Sequence, residues 1–64
     1  MNLGTKLMET QYHYDVEIDG QFAGIIDLMD ALGLNEKILI QGAFAAIYGI
    51  HHSRVRIYLV NIET

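Results

Sequence analysis

The chain has 64 residues, a formal net charge of −4 and a hydrophobic content of 52%. This hydrophobic content excludes the low-hydrophobicity signature of a disordered protein, but so short a chain buries only about 60% of the surface that its unfolded form exposes. There is no cysteine, which excludes a disulfide framework, so self-association is the remaining common way to supplement the core.

The N-terminal residues show no periodicity, and we expect residues 1–9 to form a flexible arm ahead of a single domain at residues 10–64. The arm lacks the apolar middle region of a signal peptide, and no apolar run reaches the roughly 18 residues of a membrane span. We therefore expect a cytoplasmic protein that does not contact a membrane.

A half-buried strand is predicted from Thr10, where apolar and polar residues alternate. One face carries Tyr12, Tyr14, Val16 and Ile18, and the other, acidic face carries His13, Asp15, Glu17 and Asp19. Asp19-Gly20 then predicts a hairpin. A two-residue turn would place Phe22 beside Glu17, whereas a three-residue loop would place Phe22 with the buried set. We favour the three-residue loop, with Gly20 in the left-handed conformation.

Two helices are predicted after the hairpin. For the first, Ile25, Leu28, Met29 and Leu32 follow the spacing of one helical face, with Asp27 and Asp30 pointing away and Gly33 as C-cap. The strand and helix patterns compete over Ile25 and Ile26, so the start of this helix is left open. The second is predicted to begin at Glu36 with Asn35 as N-cap and to end at Gly49.

The second helix is apolar nearly all round between Ile38 and Ile50, so it must be covered on most sides. We expect two copies of the chain to pair through this helix across a two-fold axis. The interface residues that we predict are Ile40, Ala43, Phe44, Ile47 and Tyr48.

The stretch from Gln41 to Leu59 allows an alternative structure. Gln41, Ala45, Gly49, Ile50 and Val55 stand at its first, fifth, ninth, tenth and fifteenth positions, with apolar Phe44, Tyr48 and Tyr58 between and after them. This pattern resembles the helix-turn-helix of the small phage repressors of the Cro type. The resemblance implies a DNA-binding transcriptional regulator that binds DNA through Gln41, His51, His52, Ser53, Arg54 and Arg56.

Local propensity favours a strand over that recognition helix. The segment from Arg54 to Ile62 is rich in β-branched and aromatic residues, and Val55, Ile57 and Leu59 alternate with Arg54, Arg56 and Tyr58. We expect this strand to pair with the first one and to set its arginines against Asp15 and Glu17. The acidic net charge also argues against nucleic acid as the main partner.

Neither a catalytic nor a metal site is predicted. The adjacent His51 and His52 have no acid nearby in sequence, and no nucleophile with a base or phosphate-cradling loop is present. We expect no enzyme activity and no cofactor.

The sequence thus predicts an α+β domain, in which a small antiparallel sheet of N-terminal hairpin plus C-terminal strand packs on two helices. The function expected is that of a small acidic protein-binding module. It would be a homodimeric inhibitor or regulator of the kind made by phages and mobile elements, including anti-defence proteins, that blocks a basic surface of a host or cognate protein complex. The residues predicted to bind this partner are Asp15, Glu17, Asp19, Asp27 and Asp30.

Overall fold

The computed structural model describes residues 10–64, which form one antiparallel sheet and one α-helix. Strands β1 (Gln11–Ile18) and β2 (Gln21–Leu28) form a hairpin, helix α1 (Leu34–Tyr48) follows, and a 3-10 helix at His52–Arg54 leads into strand β3 (Val55–Glu63). The strand order is β2-β1-β3. The α+β class and the sheet are confirmed, whereas the prediction of two helices is wrong. The flexible arm predicted at residues 1–9 lies outside the described residues.

A two-residue turn connects β1 and β2, so the predicted three-residue loop is wrong. Ile18 pairs with Gln21, and both turn residues have a positive φ, 54° at Asp19 and 81° at Gly20. This is the conformation that an Asp-Gly pair favours in a hairpin, because its twist matches that of the two strands. The left-handed conformation predicted for Gly20 is confirmed.

A β-bulge follows the turn. Beyond it, each side chain of β2 points to the opposite face of the sheet from the one that uninterrupted alternation would give it. Glu17 pairs with Phe22, but Val16 pairs with Gly24, so Ala23 is an extra residue on β2. Phe22 therefore shares the face of Glu17, contrary to the prediction, whereas Gly24 and the residues after it alternate in step with Val16. The bulge explains how the hairpin has a tight turn and still places Ile26 with the buried tyrosines.

The first predicted helix does not form, because its residues continue β2 as far as Leu28. Ile25 and Ile26 pair with Asp15 and Tyr14 of β1. A helix of some nine residues is too short to be stable alone, and the two β-branched isoleucines gain backbone pairing and cross-strand packing in the sheet. Tertiary context thus outweighs the helical spacing.

Helix α1 begins two residues earlier than predicted. Gly33, predicted as the C-cap of a preceding helix, is its N-cap, and Glu36 Oε1 accepts a hydrogen bond of 2.6 Å from the Gly33 N–H. Asn35 is therefore inside the helix. The predicted end is confirmed: Gly49 has a φ of 66°, and its N–H donates to the Ala46 carbonyl at 3.3 Å.

The core lies between one face of the sheet and one side of α1. Its buried side chains are Tyr14, Val16, Ala45, Val55 and Ile57. Phe44 lies over Gly24, where an added Cβ would stand 3.7 Å from the ring. Gln41 donates from Nε2 to the Val55 carbonyl at 2.6 Å, which joins the middle of α1 to the start of β3. The helix is therefore held to the sheet along one side only.

Strand β3 decides between the two structures considered for residues 41–59. Residues Val55–Glu63 pair with β1 in the antiparallel sense, from Ile18 with Val55 to Gln11 with Glu63. The helix-turn-helix is wrong, because the segment that would be its recognition helix is a strand. Ile57, which would occupy a groove-facing position of that helix, is buried in the core.

Candidate functional site

One face of the sheet packs against α1, and the opposite face has no element over it within residues 10–64. We call this opposite side the open face. The register places on it, from the three strands, Phe22, Ile25, Asp27, Gln11, His13, Asp15, Glu17, Arg56, Tyr58, Asn61 and Glu63. Four of these residues are carboxylates and one is an arginine, so the open face is acidic.

At one end of the open face, His13 joins all three strands. Its Nδ1 lies 2.7 Å from Asp27 Oδ1 on β2, and its Nε2 lies 3.0 Å from Glu63 Oε1 on β3. The hydrogen bond with Asp27, and next that with Glu63, raises the pKa of His13 above its usual value. The two carboxylates stabilise the protonated imidazole. Its positive charge offsets part of the negative charge of Asp27 and Glu63.

At the other end of the open face, Glu17 has two residues of β3 as neighbours. The Tyr58 hydroxyl donates to Glu17 Oε2, and Arg56 stands directly opposite Glu17 in the register. The hydrogen bond to the carboxylate raises the pKa of the Tyr58 phenol. Glu17 is therefore held in place within the sheet, and the predicted cross-strand placement of Arg56 against Glu17 is confirmed.

The second arginine of this region binds the hairpin turn. Arg54 donates from Nε to Asp19 Oδ1 at 2.9 Å, and its Nη2 donates to Oδ2. The hydrogen bonds from Arg54 hold the pKa of the Asp19 carboxyl below its usual value. The predicted partners for Arg54 were Asp15 and Glu17, so this part of the prediction is wrong. Asp19 is neutralised by the paired guanidinium.

Between its middle and the hairpin turn, the open face combines one carboxylate with two apolar side chains. Asp15 stands between Ile25 of β2 and Tyr58 of β3, and within residues 10–64 it forms no ion pair. Phe22 and Ile25 are each 63% exposed. An unpaired carboxylate beside exposed aromatic and aliphatic side chains can bind a cationic group and an apolar group of the same partner.

The acidic residues predicted as one surface are only partly together. Asp15, Glu17 and Asp27 share the open face, and Asp19 lies at its edge in the turn. Asp30 lies after the end of β2, where it lines a groove of about 420 Å³ with residues of α1 such as Leu39. Asp27 and Asp30 were assigned to one helical face. The strand places them on different surfaces of the molecule.

The residues of the DNA-binding alternative are dispersed. Gln41 is bound to the Val55 carbonyl, and Arg54 is bound to Asp19. His51 accepts a hydrogen bond of 3.2 Å from the Ser53 N–H at the 3-10 helix, and the His51 and His52 rings lie 4.3 Å apart. Arg56 is on the open face. The structure does not bring these six residues together on one helix.

The predicted dimer residues divide between two sides of α1. Ile40 and Phe44 are half-buried against the core, and the Phe44 ring stacks on Tyr48 with centroids 6.5 Å apart. Ala43, Ile47 and Tyr48 are exposed. Only these three residues are available to a second copy without a rearrangement of the core.

No group of three or more metal-binding side chains in residues 10–64 is arranged to hold a metal ion. The cluster around His13 is an example. Asp27 binds one ring nitrogen and Glu63 binds the other, so the three side chains do not converge on one point. In the same part of the chain no helix has the length and apolar character needed to cross a membrane.

Sequence reasoning missed two apolar residues of the open face. Phe22 was assigned to the core and Ile25 to a helix. The signal for Phe22 was the Asp19-Gly20 pair, because a two-residue turn places Phe22 beside Glu17. The bulge at Ala23, which brings Ile25 to the same face, has no comparable signal in the sequence.

Comparisons of the chain with protein-family models, with curated proteins and with solved structures find no match. The residues and their geometry are therefore the basis of the proposals that follow.

Proposed function

We propose that this protein is a small protein-binding module that uses the open face of its sheet to bind a basic surface of another protein. The observation that carries the proposal is that an acidic sheet face, with Phe22 and Ile25 exposed beside Asp15, has no element over it within residues 10–64. Exposed apolar groups with a polar rim are typical of protein interfaces.

The charges on the open face favour a cationic partner. Asp15 has no ion-pair partner in the described residues, and the carboxylates of Asp27 and Glu63 share one histidine. Such an arrangement attracts a cationic partner and increases its association rate. The repulsion of phosphate by the same carboxylates supports a protein rather than a nucleic acid as the partner. By occupying a basic surface, the module would act as an inhibitor or regulator of the protein that carries this surface.

Asp15→Lys tests the proposal with little structural disturbance, because Asp15 has no ion pair to lose within residues 10–64. The probe is a fluorescent arginine-rich peptide of about 20 residues with interspersed leucines, of a size suited to one small interface. We expect Asp15→Lys to weaken binding about tenfold or more, measured by fluorescence anisotropy at low salt.

Asp30→Lys is the matched control, because it changes the net charge equally but lies outside the open face. We expect it to weaken binding less than threefold. Equal effects of the two variants would show that net charge alone attracts the peptide, and unchanged binding by Asp15→Lys would contradict the proposal. Far-ultraviolet circular dichroism of both variants checks that the fold is retained.

A further inference from the structure

Within residues 10–64, the outward side of α1 is a second surface that no other element covers, on the side of the molecule away from the open face. We define the outer helix surface as Leu39, Ala43, Ala46 and Ile47 together with Leu34 and Ile38 at its edge next to β3, all of which are exposed. We propose that two copies of this chain bind each other through this surface. The proposal concerns a different side of the molecule from the peptide-binding face and does not rest on the proposed function.

Exposure of the large side chains here is unusually high. Leu34 is 75% exposed, Leu39 is 72% exposed and Ile47 is 77% exposed. No residue between Lys37 and Gly49 is charged. A helix on the surface of a monomer normally presents charged or polar side chains to water, so an uncharged outward side indicates that it is covered in the functional state.

The area is sufficient for a specific dimer. A fully buried leucine or isoleucine removes on the order of 100 Å² from water, so the outer helix surface would bury about 500 Å² per copy and about 1,000 Å² in total. This is near the lower limit for a specific interface. Leu59 extends the surface, because it follows Ile57 on the same face of β3, and Ile57 lines one depression with Leu34 and Ile38.

The distribution of charge permits a second copy as the occupant. The chain carries a net charge of −4, yet contact through the outer helix surface keeps the open faces of both copies on the outside and far apart. A lipid surface fits less well, because interfacial helices carry lysines and arginines on their polar side. Lys37 is the one basic residue of α1.

Two-fold symmetry gives this arrangement a specific geometric consequence. In an isologous dimer each residue near the axis lies close to the same residue of the other copy. Ala43 is near the middle of the outer helix surface, so the two Ala43 side chains should approach each other. Since the chain contains no cysteine, a single cysteine introduced at this position reports on that contact alone.

Sedimentation equilibrium of the full chain is the first test. We expect a mass of twice 7.2 kDa at high concentration, and a shift towards the monomer on dilution from about 500 to about 10 µM. Leu39→Glu should raise the dissociation constant at least about tenfold. Phe22→Glu is the matched control, because it adds the same charge at an exposed apolar residue of the open face, and we expect it to leave the dissociation constant within about threefold of the wild-type value.

Disulfide cross-linking is the second test. Under mild oxidation Ala43→Cys should give a covalent dimer, whereas Ile25→Cys on the open face should not. A monomer at every concentration would overturn the proposal. So would a dimer that Leu39→Glu leaves intact, or one that Ile25→Cys cross-links and Ala43→Cys does not. None of these outcomes alters the anisotropy test, so failure of one proposal is distinguishable from failure of the other.

Discussion

His13 is the residue whose protonation the fold controls most directly. Asp27 and Glu63 raise its pKa above its usual value near 6.5, so the protonated form is favoured in the folded chain. A raised pKa contributes stability that is complete below the unfolded-state pKa and is lost as the pH rises through the folded-state pKa. The histidine therefore joins the three strands more strongly in mildly acidic solution.

The prediction for His13→Gln is a flatter dependence of stability on pH. We expect the urea midpoint of the wild-type chain to fall between about pH 6 and pH 8, and that of the variant to change less over this range. His52→Gln is the control, since His52 has no carboxylate partner in the described residues, and it should retain the wild-type slope. An equal slope in wild type and His13→Gln would show that the contacts of His13 do not affect folding.

Gly49 ends α1 in a conformation that other residues adopt at a cost. Its φ is 66°, and an added Cβ would meet no atom within 4 Å, so the cost of Gly49→Ala is conformational only. We expect a loss of about 1–2 kcal/mol in the free energy of unfolding. Gly42→Ala adds the same methyl group inside the helix and should stabilise by about 0.5–1 kcal/mol. Urea denaturation in dilute solution measures both, and a stabilising Gly49→Ala would contradict the cap.

At the scale of elements, one hydrogen bond joins α1 to β3. Gln41→Met keeps the length of the side chain but removes the donor to the Val55 carbonyl, and we expect a loss of about 1 kcal/mol. Gln21→Met is the control, because Gln21 is exposed and forms no side-chain hydrogen bond within residues 10–64. A similar small effect of both variants, measured by thermal unfolding, would mean that the bond does not hold the helix in place.

The elements differ in how well the sequence predicts them. Strands β1 and β3 follow from the alternation of Tyr12 to Ile18 and of Arg54 to Leu59, because each has one buried face with a period of two. Strand β2 was taken for a helix after Gly24. Ile25 and Ile26 fit the spacing of a helix as well as that of a strand. Their pairing with β1, which the sequence does not show, decides for the strand.

The candidate site is predictable to a similar extent. The acidic residues of β1 were found, since alternation places Asp15 and Glu17 on the solvated face. The apolar residues beside them were not, because the facing of Phe22 depends on the length of the turn and that of Ile25 depends on a bulge. The contact of His13 with Glu63 joins residues 50 positions apart in the sequence, and no local pattern indicates it.

At the scale of the whole molecule, the sheet separates two surfaces of different character. The open face is acidic and carries two exposed apolar residues, and the outer helix surface is uncharged. The buried core of the described residues consists of five side chains, which lie between the sheet and the inner side of α1. So small a core leaves the open face and the outer helix surface exposed. We infer that one surface binds a basic partner and the other a second copy, which leaves two identical binding faces on the outside of the dimer.

The measurement that tests this account most directly is a map of where the arginine-rich peptide binds, from backbone amide shifts of the ¹⁵N-labelled chain during titration. We predict the largest changes at Asp15, Phe22 and Ile25, with small changes at Ala43 and Ile47. Shifts concentrated on α1, or spread evenly over all acidic residues including Asp30, would contradict the assignment of the open face as the binding site.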